Sequence, residues 1–325
     1  MYAQLLLTER GSMSSKKTWK DHFLSSGIPL EYSVAQVFQD LTRWQTGEFS
    51  YERQDEQGVT RVFSVDVHST NLNIDRRSLR VETLVECKYR HDGTKWVFTP
   101  DDYDFFGASF SELFVTLDEC CADRRLNTSF LDDVSGSYPL CTKGIELLRD
   151  NSNPKAIQEA VQQLRYGVTA RAIDAINHQI TIVNHPIGIG DPTPIFIILP
   201  IIVTTAELWR LKPGTTVDDV RKADEITDVA TSHDTVVLLQ KPDNLDRKHT
   251  TLIFETNLDG NYRKQLDNFL RMKKLDPLGF VDTFASRIPS LFIVIRYDSL
   301  RSVMTDLFNI FKQEEIISLR KLPSS

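Results

Sequence analysis

Two carboxylates and an ammonium recur in phase in the stretches Val62-Phe-Ser-Val-Asp66-Val67 and Val81-Glu-Thr-Leu-Val-Glu86-Cys87-Lys88. On a strand, alternate side chains share a face. Val81, Thr83, Val85 and Cys87 then point one way, and Glu82, Leu84, Glu86 and Lys88 the other. In the first stretch Phe63, Val65 and Val67 form one face, and Asp66 emerges on the opposite one. If the two strands pair across segment 68–79, Asp66 and Glu86 converge. Two carboxylates with one main-chain carbonyl, which Cys87 is placed to supply, make a hard oxygen site suited to Mg²⁺ or Mn²⁺. Such an ion polarises a scissile phosphate and lowers the pKa of a bound water. Lys88 would orient that water or offset the charge that develops on phosphorus-bound oxygens. Glu-x-Lys alone is also an ordinary cross-strand charge pair; the phased Asp66 and the apolar backing set this instance apart.

The elements that must position these residues follow from periodicity. Leu30, Val34, Val37, Phe38 and Leu41 predict a helix from about Pro29 to Trp44. Strand-like stretches follow at 49–53, 59–67, 79–90 and 95–98, separated by Gln57-Gly58, Asn71–Asn73 and Asp92-Gly93, which predicts an antiparallel meander. A helix is expected near Ser111–Cys121 and a polar loop near Leu131–Tyr138. A longer helix runs from Pro154 to about His178, with Ile157, Val161, Leu164, Val168, Ala172 and Ile176 as its apolar stripe. The run Ile195–Val203 reads as a strand buried on both faces. Beyond it come a helix near 217–223, strands at 235–239 and 250–254, a helix at 262–273, a strand at 291–296 and a helix at 300–311.

The chain has 325 residues, 41% hydrophobic and 26% charged, with a formal charge of -7. That balance excludes a mostly disordered or fibrous chain and a histone-like polycation, while leaving room for a basic cleft on an acidic body. The apolar run at 195–203 is too short for a bilayer and has Pro200 in its middle, so no membrane is expected. Leu5–Leu7 lacks the flanks of a signal peptide. Gly11-Ser12-Met13 reads as a vector junction, with residues 1–12 a tag and Met13 the natural start. Cys87, Cys120, Cys121 and Cys141 show no CxxC spacing, which points to a reduced cytoplasmic setting without zinc or disulfides.

Asp66 followed by Glu86-Cys87-Lys88 resembles the D…(D/E)xK core of the PD-(D/E)XK phosphodiesterases, the restriction-endonuclease-like nucleases. Gly27-Ile-Pro-Leu-Glu31-Tyr-Ser-Val-Ala35 resembles the first helix of Holliday-junction resolvases and Mrr-type enzymes, whose helical Glu joins the metal site; Glu31 is the matching position. Gln162-Gln-Leu-Arg-Tyr166 resembles the QxxxY motif of RecB-type nucleases, and Ile201–Ala206 the later core strand of Mrr-like domains. Val65 stands where the family motif has proline.

The resemblance implies an α/β fold with a restriction-endonuclease-like core, a mixed central sheet flanked by helices. It implies one elaborated nuclease domain over 13–325, with core motifs in 27–206 and a C-terminal α/β elaboration in 207–325. The implied activity is Mg²⁺- or Mn²⁺-dependent hydrolysis of phosphodiesters, in DNA first, in bacterial antiphage defence or DNA processing. Asp66, Glu86 and Lys88 would be catalytic, and Glu31, Asp66, Glu86 and the Cys87 carbonyl would hold metal. Gln162, Tyr166, Arg90 and Arg165 would bind substrate. An activating partner subunit and a homo-oligomer fit such a setting. The alternatives are a non-catalytic nucleic-acid- or partner-binding protein on the same fold, and an RNA or nucleotide phosphodiesterase.

Arg76, Arg77, Arg80, Lys88, Arg90 and Lys95, with Arg165 and Arg171 from the Gln helix, are expected to form a phosphate-binding patch. A second cluster, Arg263, Lys264, Arg271, Lys273 and Lys274, lies far along the chain. His68 reads as a polar strand-end residue, with a catalytic histidine as the alternative, Asp75 as a loop rival to Asp66, and Cys87 as a small core residue.

Overall fold

The computed structural model describes residues 18–42, 46–54, 59–72, 79–101, 115–117, 124–126, 138–148, 152–183, 195–256, 260–272, 274–287, 289–312 and 316–318. Helices α1 (Trp19–Ser25) and α2 (Ile28–Thr42) precede strands β1 (Thr46–Gln54), β2 (Thr60–Leu72), β3 (Leu79–Lys88) and β4 (Lys95–Pro100). Short strands β5 (Val115–Thr116) and β6 (Arg124–Leu126) lead to β7 (Leu140–Leu147), β8 (Ser152–Asn153) and the long helix α3 (Ala156–Val183). Then come β9 (Ile195–Thr204), β10 (Glu207–Leu211), α4 (Val217–Lys222), α5 (Ile226–Val229), β11 (Ala230–His233) and β12 (Thr235–Leu239). Helices α6 (Asn244–Thr256), α7 (Gly260–Met272) and α8 (Pro277–Arg287), strand β13 (Leu291–Arg296), helix α9 (Leu300–Lys312) and β14 (Ile316–Ser318) complete the order.

One mixed sheet runs β1-β2-β3-β9-β13-β12-β7-β4-β10-β11. Its first three strands form an antiparallel meander as expected, but β4, expected as the fourth, pairs instead with β7 and β10. Strand β9 takes the place beside β3, parallel to it along the whole of both strands. The strands of 207–296 join this same sheet. On its other edge β9 takes β5 near its start and β13 near its end. All ten residues of β9 are buried. Its alternate side chains enter opposite cores: Phe196, Ile198 and Ile202 face α3, α6, α7 and α8, and Ile197, Leu199, Ile201 and Val203 face α2 and α9. Helices cover both faces, which is why the strand reads as an unbroken apolar run. On α2, Leu30, Val34 and Phe38 repeat every fourth residue and are buried, each worth roughly 2 kcal/mol of apolar transfer.

Two further expectations are corrected. Residues 250–254 are helical, inside α6, whose start is fixed by Asp243 accepting from the Leu245 and Asp246 N–H groups while Asp246 accepts from Asp243 N–H. That reciprocal cap outweighs the strand propensity of Thr-Thr-Leu-Ile-Phe. At the expected 111–121 helix, the described residues Val115 and Thr116 pair with β9. The expected loop at 131–138 falls almost wholly outside the described residues. Among the described residues no helix is long and apolar enough to cross a membrane.

Candidate metal-dependent active site

The meander carries one irregularity, and it falls on Asp66. Between β1 and β2, Gly47 opposes His68 and Phe49 opposes Val65, so Asp66 and Val67 together face the single residue Glu48. This is a bulge on β2, which shifts alternation by one. Val65 consequently packs against α3, while Val67 packs on the α2 side. The expectation that Val65 and Val67 share a face is thereby corrected. The β2–β3 ladder runs from Leu72–Arg80 only to Val67–Val85, although β2 continues against β1 as far as Thr60. Strand β2 peels away from β3 at the bulge.

Into that split goes the Asp66 carboxylate. Its Oδ2 accepts from the Cys87 main-chain N–H at 2.7 Å, replacing the lost ladder bond. In a ladder the N–H and C=O of one residue point to the same side, so the Cys87 carbonyl is aimed toward the same gap. The neighbouring residue is tied the other way: Thr204 Oγ1 on β9 donates to the Lys88 carbonyl at 2.9 Å. Glu86 is 2% exposed; Lys88 Nζ donates to its Oε1 at 2.6 Å, and its Oε2 is buried without a hydrogen-bond partner.

Lys88 also donates to Gln163 Oε1 at 3.0 Å, and Tyr51 donates to the Gln163 carbonyl at 3.2 Å. Helix α3 can come this near because residue 167 is glycine: a Cβ there would lie 2.5 Å from Val65 Cγ2. Glu31 arrives from α2. Gly27, with φ +82°, accepts from the N–H groups of Leu30 and Glu31, and a Cβ on it would come within 2.9 Å of Glu31 Oε1.

Electrostatics follow from this crowding. Burial, opposed by Lys88 and reinforced by Asp66, pushes the Glu86 carboxyl up to about 7. Asp66 is raised by burial, against the Cys87 N–H bond and Lys88. Glu31 is raised by burial and then by Asp66 and Glu48. Burial likewise raises the Cys87 thiol, which sits in the core as expected and is no nucleophile.

Among the described residues no three His, Cys, Asp or Glu side chains are gathered into a ready metal-holding group. The donor set here is of a different kind. It comprises two carboxylates, one with an orphaned buried oxygen, and a main-chain carbonyl. Mg²⁺ is commonly bound by one or two carboxylates, with waters completing its octahedron. The residues present fit that pattern.

The remaining expected residues are distributed as follows. It is Gln163 that reaches Lys88, not its half-buried neighbour Gln162. Arg165 is not placed to touch substrate: it is 2% exposed, pairs with Asp246 at 2.5 Å and donates to the carbonyls of Gln240 and Pro289. Arg90 is committed to Glu146 and the Tyr89 carbonyl. Arg80 and Arg171 both bind Glu82, with His68 3.2 Å from the same carboxylate. The expected basic patch is therefore largely internal ion pairing, serving buried acids. Tyr166 is buried, with Arg53 stacked 3.8 Å above its ring. Asp75, Arg76, Arg77, Cys120, Cys121 and Lys273 lie outside the described residues, and Arg263 pairs with Asp267.

Sequence reasoning missed Gln163, Glu48 and Tyr51. Gln163 stands one turn before Tyr166, a spacing that brings both onto one helix face; Glu48 carried no signal, because nothing in the residues announces the bulge opposite it. Comparison of the chain with protein-family models, curated proteins and solved structures gave no match.

Proposed function

We propose that this chain is a metal-dependent phosphodiesterase acting on nucleic acid, with DNA as the substrate implied by its resemblance to the PD-(D/E)XK nucleases. The observation that carries the reading is the split at Asp66. The β2 bulge frees the carboxylate, the Cys87 N–H fixes it, and Glu86 and Lys88 lie at the adjoining end of β3. A metal-independent explanation of Glu86 would have to account for a nearly fully buried carboxylate oxygen with no partner.

Asp66, Glu86 and the Cys87 carbonyl would hold Mg²⁺ or Mn²⁺, which when bound supplies Lewis acidity at the phosphate and an acidified water. The protein's own groups do the rest. Lys88 has three N–H donors; Glu86 and Gln163 occupy two, leaving one for a phosphate oxygen or the attacking water. Gln163, itself anchored through Tyr51, holds the ammonium toward Glu86. Glu31 adds negative charge on the α2 side and strengthens the site's demand for a cation. The helix Glu, Asp66, Glu86-x-Lys88 and the Gln helix occur along the chain in the order of the resembled core, and the parallel pairing of β9 with β3 supports the reading. A role in antiphage defence or DNA processing belongs to the same resemblance, and a cytoplasmic setting to the cysteine pattern.

Plasmid nicking with Mg²⁺ or Mn²⁺ tests this reading, with EDTA and Lys88→Ala as controls. Cleavage that vanishes in both controls is the expected result. A preparation that binds DNA without cutting it, and is indifferent to Glu86→Gln, would favour the non-catalytic alternative.

A further inference from the structure

A cavity of about 190 Å³ opens beside the free end of β1, lined by Glu52, Arg53, Thr60, His249, Leu252 and Thr256 among others. Aromatic rings contact its Arg53 and His249. The Arg53 guanidinium lies 3.8 Å from the Tyr166 ring centre and 5.8 Å from that of Phe63. The His249 ring meets Tyr166 edge-on at 4.4 Å.

Two features mark this cavity. Arg80, Arg90, Arg165 and Arg171 are each matched to a buried carboxylate, whereas Arg53 has no ion pair or hydrogen bond among the described residues. His249 Nε2 is buried and also without a hydrogen-bond partner. Burial, and then the Arg53 charge, push this imidazole down to about 4, so the ring lining the cavity is neutral. A flat, unneutralised guanidinium beside an unpaired ring nitrogen and the Thr60 hydroxyl is a donor set for a phosphate oxygen. Glu52 sits at the exposed rim and is not paired with Arg53.

The cavity is also in line with the candidate active site. Tyr51, which holds Gln163, is two residues from Arg53 on the same face of β1, and Tyr166 is one turn of α3 beyond Gln163. Two strand residues span roughly 7 Å. About two nucleotides cover that distance at about 3.4 Å of rise each.

We propose that Arg53 and His249, backed by Tyr166, form a phosphate subsite that seats the nucleic-acid strand beside the phosphodiester addressed by Asp66, Glu86 and Lys88. The assignment rests on the nuclease reading for its strand and on this cavity for its phosphate. Bases flanking the seated phosphate would find Phe63 and the Arg53 plane as stacking surfaces.

The test uses the full chain in EDTA on a Glu86→Gln background, so that binding is read without cleavage. The His249 ring resonances are followed by NMR while inorganic phosphate, a nucleoside monophosphate or a short oligodeoxythymidylate is added. Oligonucleotide affinity is measured in parallel by fluorescence anisotropy for Arg53→Gln and His249→Gln, with thermal midpoints checking that both variants fold. Expected is a ring shift with phosphate and with oligonucleotide, and a loss of affinity of about tenfold or more in Arg53→Gln, with the salt slope reduced by about one. A ring indifferent to every ligand, with unchanged affinity in both variants, overturns the subsite. A ring that answers to inorganic phosphate or the monophosphate but not to the oligonucleotide overturns the assignment to a strand. Because no arm requires cleavage, a failed plasmid assay and a failed subsite are told apart.

Discussion

Gln163 Oε1 accepts from Lys88 Nζ at 3.0 Å, across the space between α3 and the end of β3. This bond fixes one of three ammonium protons and aims another at Glu86. Gln163→Leu is expected to lower turnover about 10- to 100-fold, the worth of a hydrogen bond to a charged group, with KM little changed. Gln162→Leu should stay near the wild type. Steady-state cleavage of a labelled oligonucleotide measures both, and equal effects at the two positions would refute the assignment.

The acid at Glu86 makes stability depend on pH in a definite direction. Its folded pKa is about 7 against an ordinary 4.5, so the folded chain binds this proton more tightly than the unfolded chain. The contribution, on the order of 3 kcal/mol, is complete below about pH 4.5 and is lost as pH rises to 7. Urea midpoints in EDTA should fall from pH 5 to pH 8 more steeply for the wild type than for Glu86→Gln. Parallel profiles would show that Glu86 is not the group responsible.

Glu82 behaves in the opposite sense. Burial alone would raise it, but His68, Arg171 and Arg80 together pull its carboxyl down to about 2. Its stabilisation is present above pH 4.5 and disappears as pH falls toward 2. Glu82→Ala strands two arginines against the sheet and should cost roughly 3–5 kcal/mol in denaturant unfolding at pH 7. A loss below about 1 kcal/mol would mean that water reaches the cluster.

Gly167 sets the distance between α3 and the meander. Gly167→Ala places a methyl 2.5 Å from Val65 Cγ2 and is expected to destabilise by about 1–3 kcal/mol, with reduced cleavage as Gln163 is lifted from Lys88. Adding Val65→Ala should restore part of both. A double variant no better than the single one would place the strain elsewhere.

What was legible in the sequence was whatever depends on period. The alternation in β3 put Glu86 and Lys88 on one face with Leu84, and the apolar run of β9 announced a strand covered on both sides. What was hidden depends on partners. A bulge is a mismatch between two strands, so neither strand alone declares that Asp66 and Val67 share one opposite residue. The arginines looked available because the acids that claim them, Glu82, Glu146 and Asp246, are close only in the folded chain. The α6 misreading was avoidable, since Asp243 and Asp246 spell a helix cap.

The pairing of β3 with β9 also sets a timetable. Glu86 lies opposite Ile202 and Lys88 opposite Thr204, partners that leave the ribosome long after the meander is complete. Local hairpins close in microseconds, whereas pairing across a long intervening chain must first meet its loop-closure entropy. The β1–β2–β3 unit is therefore expected to form early, with the far edge of β3 bare until β9 arrives. Pulse-labelled hydrogen exchange during refolding should show β1–β2 amides protected ahead of those joining β3 to β9. The end of β3 that carries Glu86 and Lys88 is then also among the last parts of the molecule to become rigid, so a partly folded chain holds Asp66, Glu86 and Lys88 but not yet the geometry on which the proposed chemistry depends.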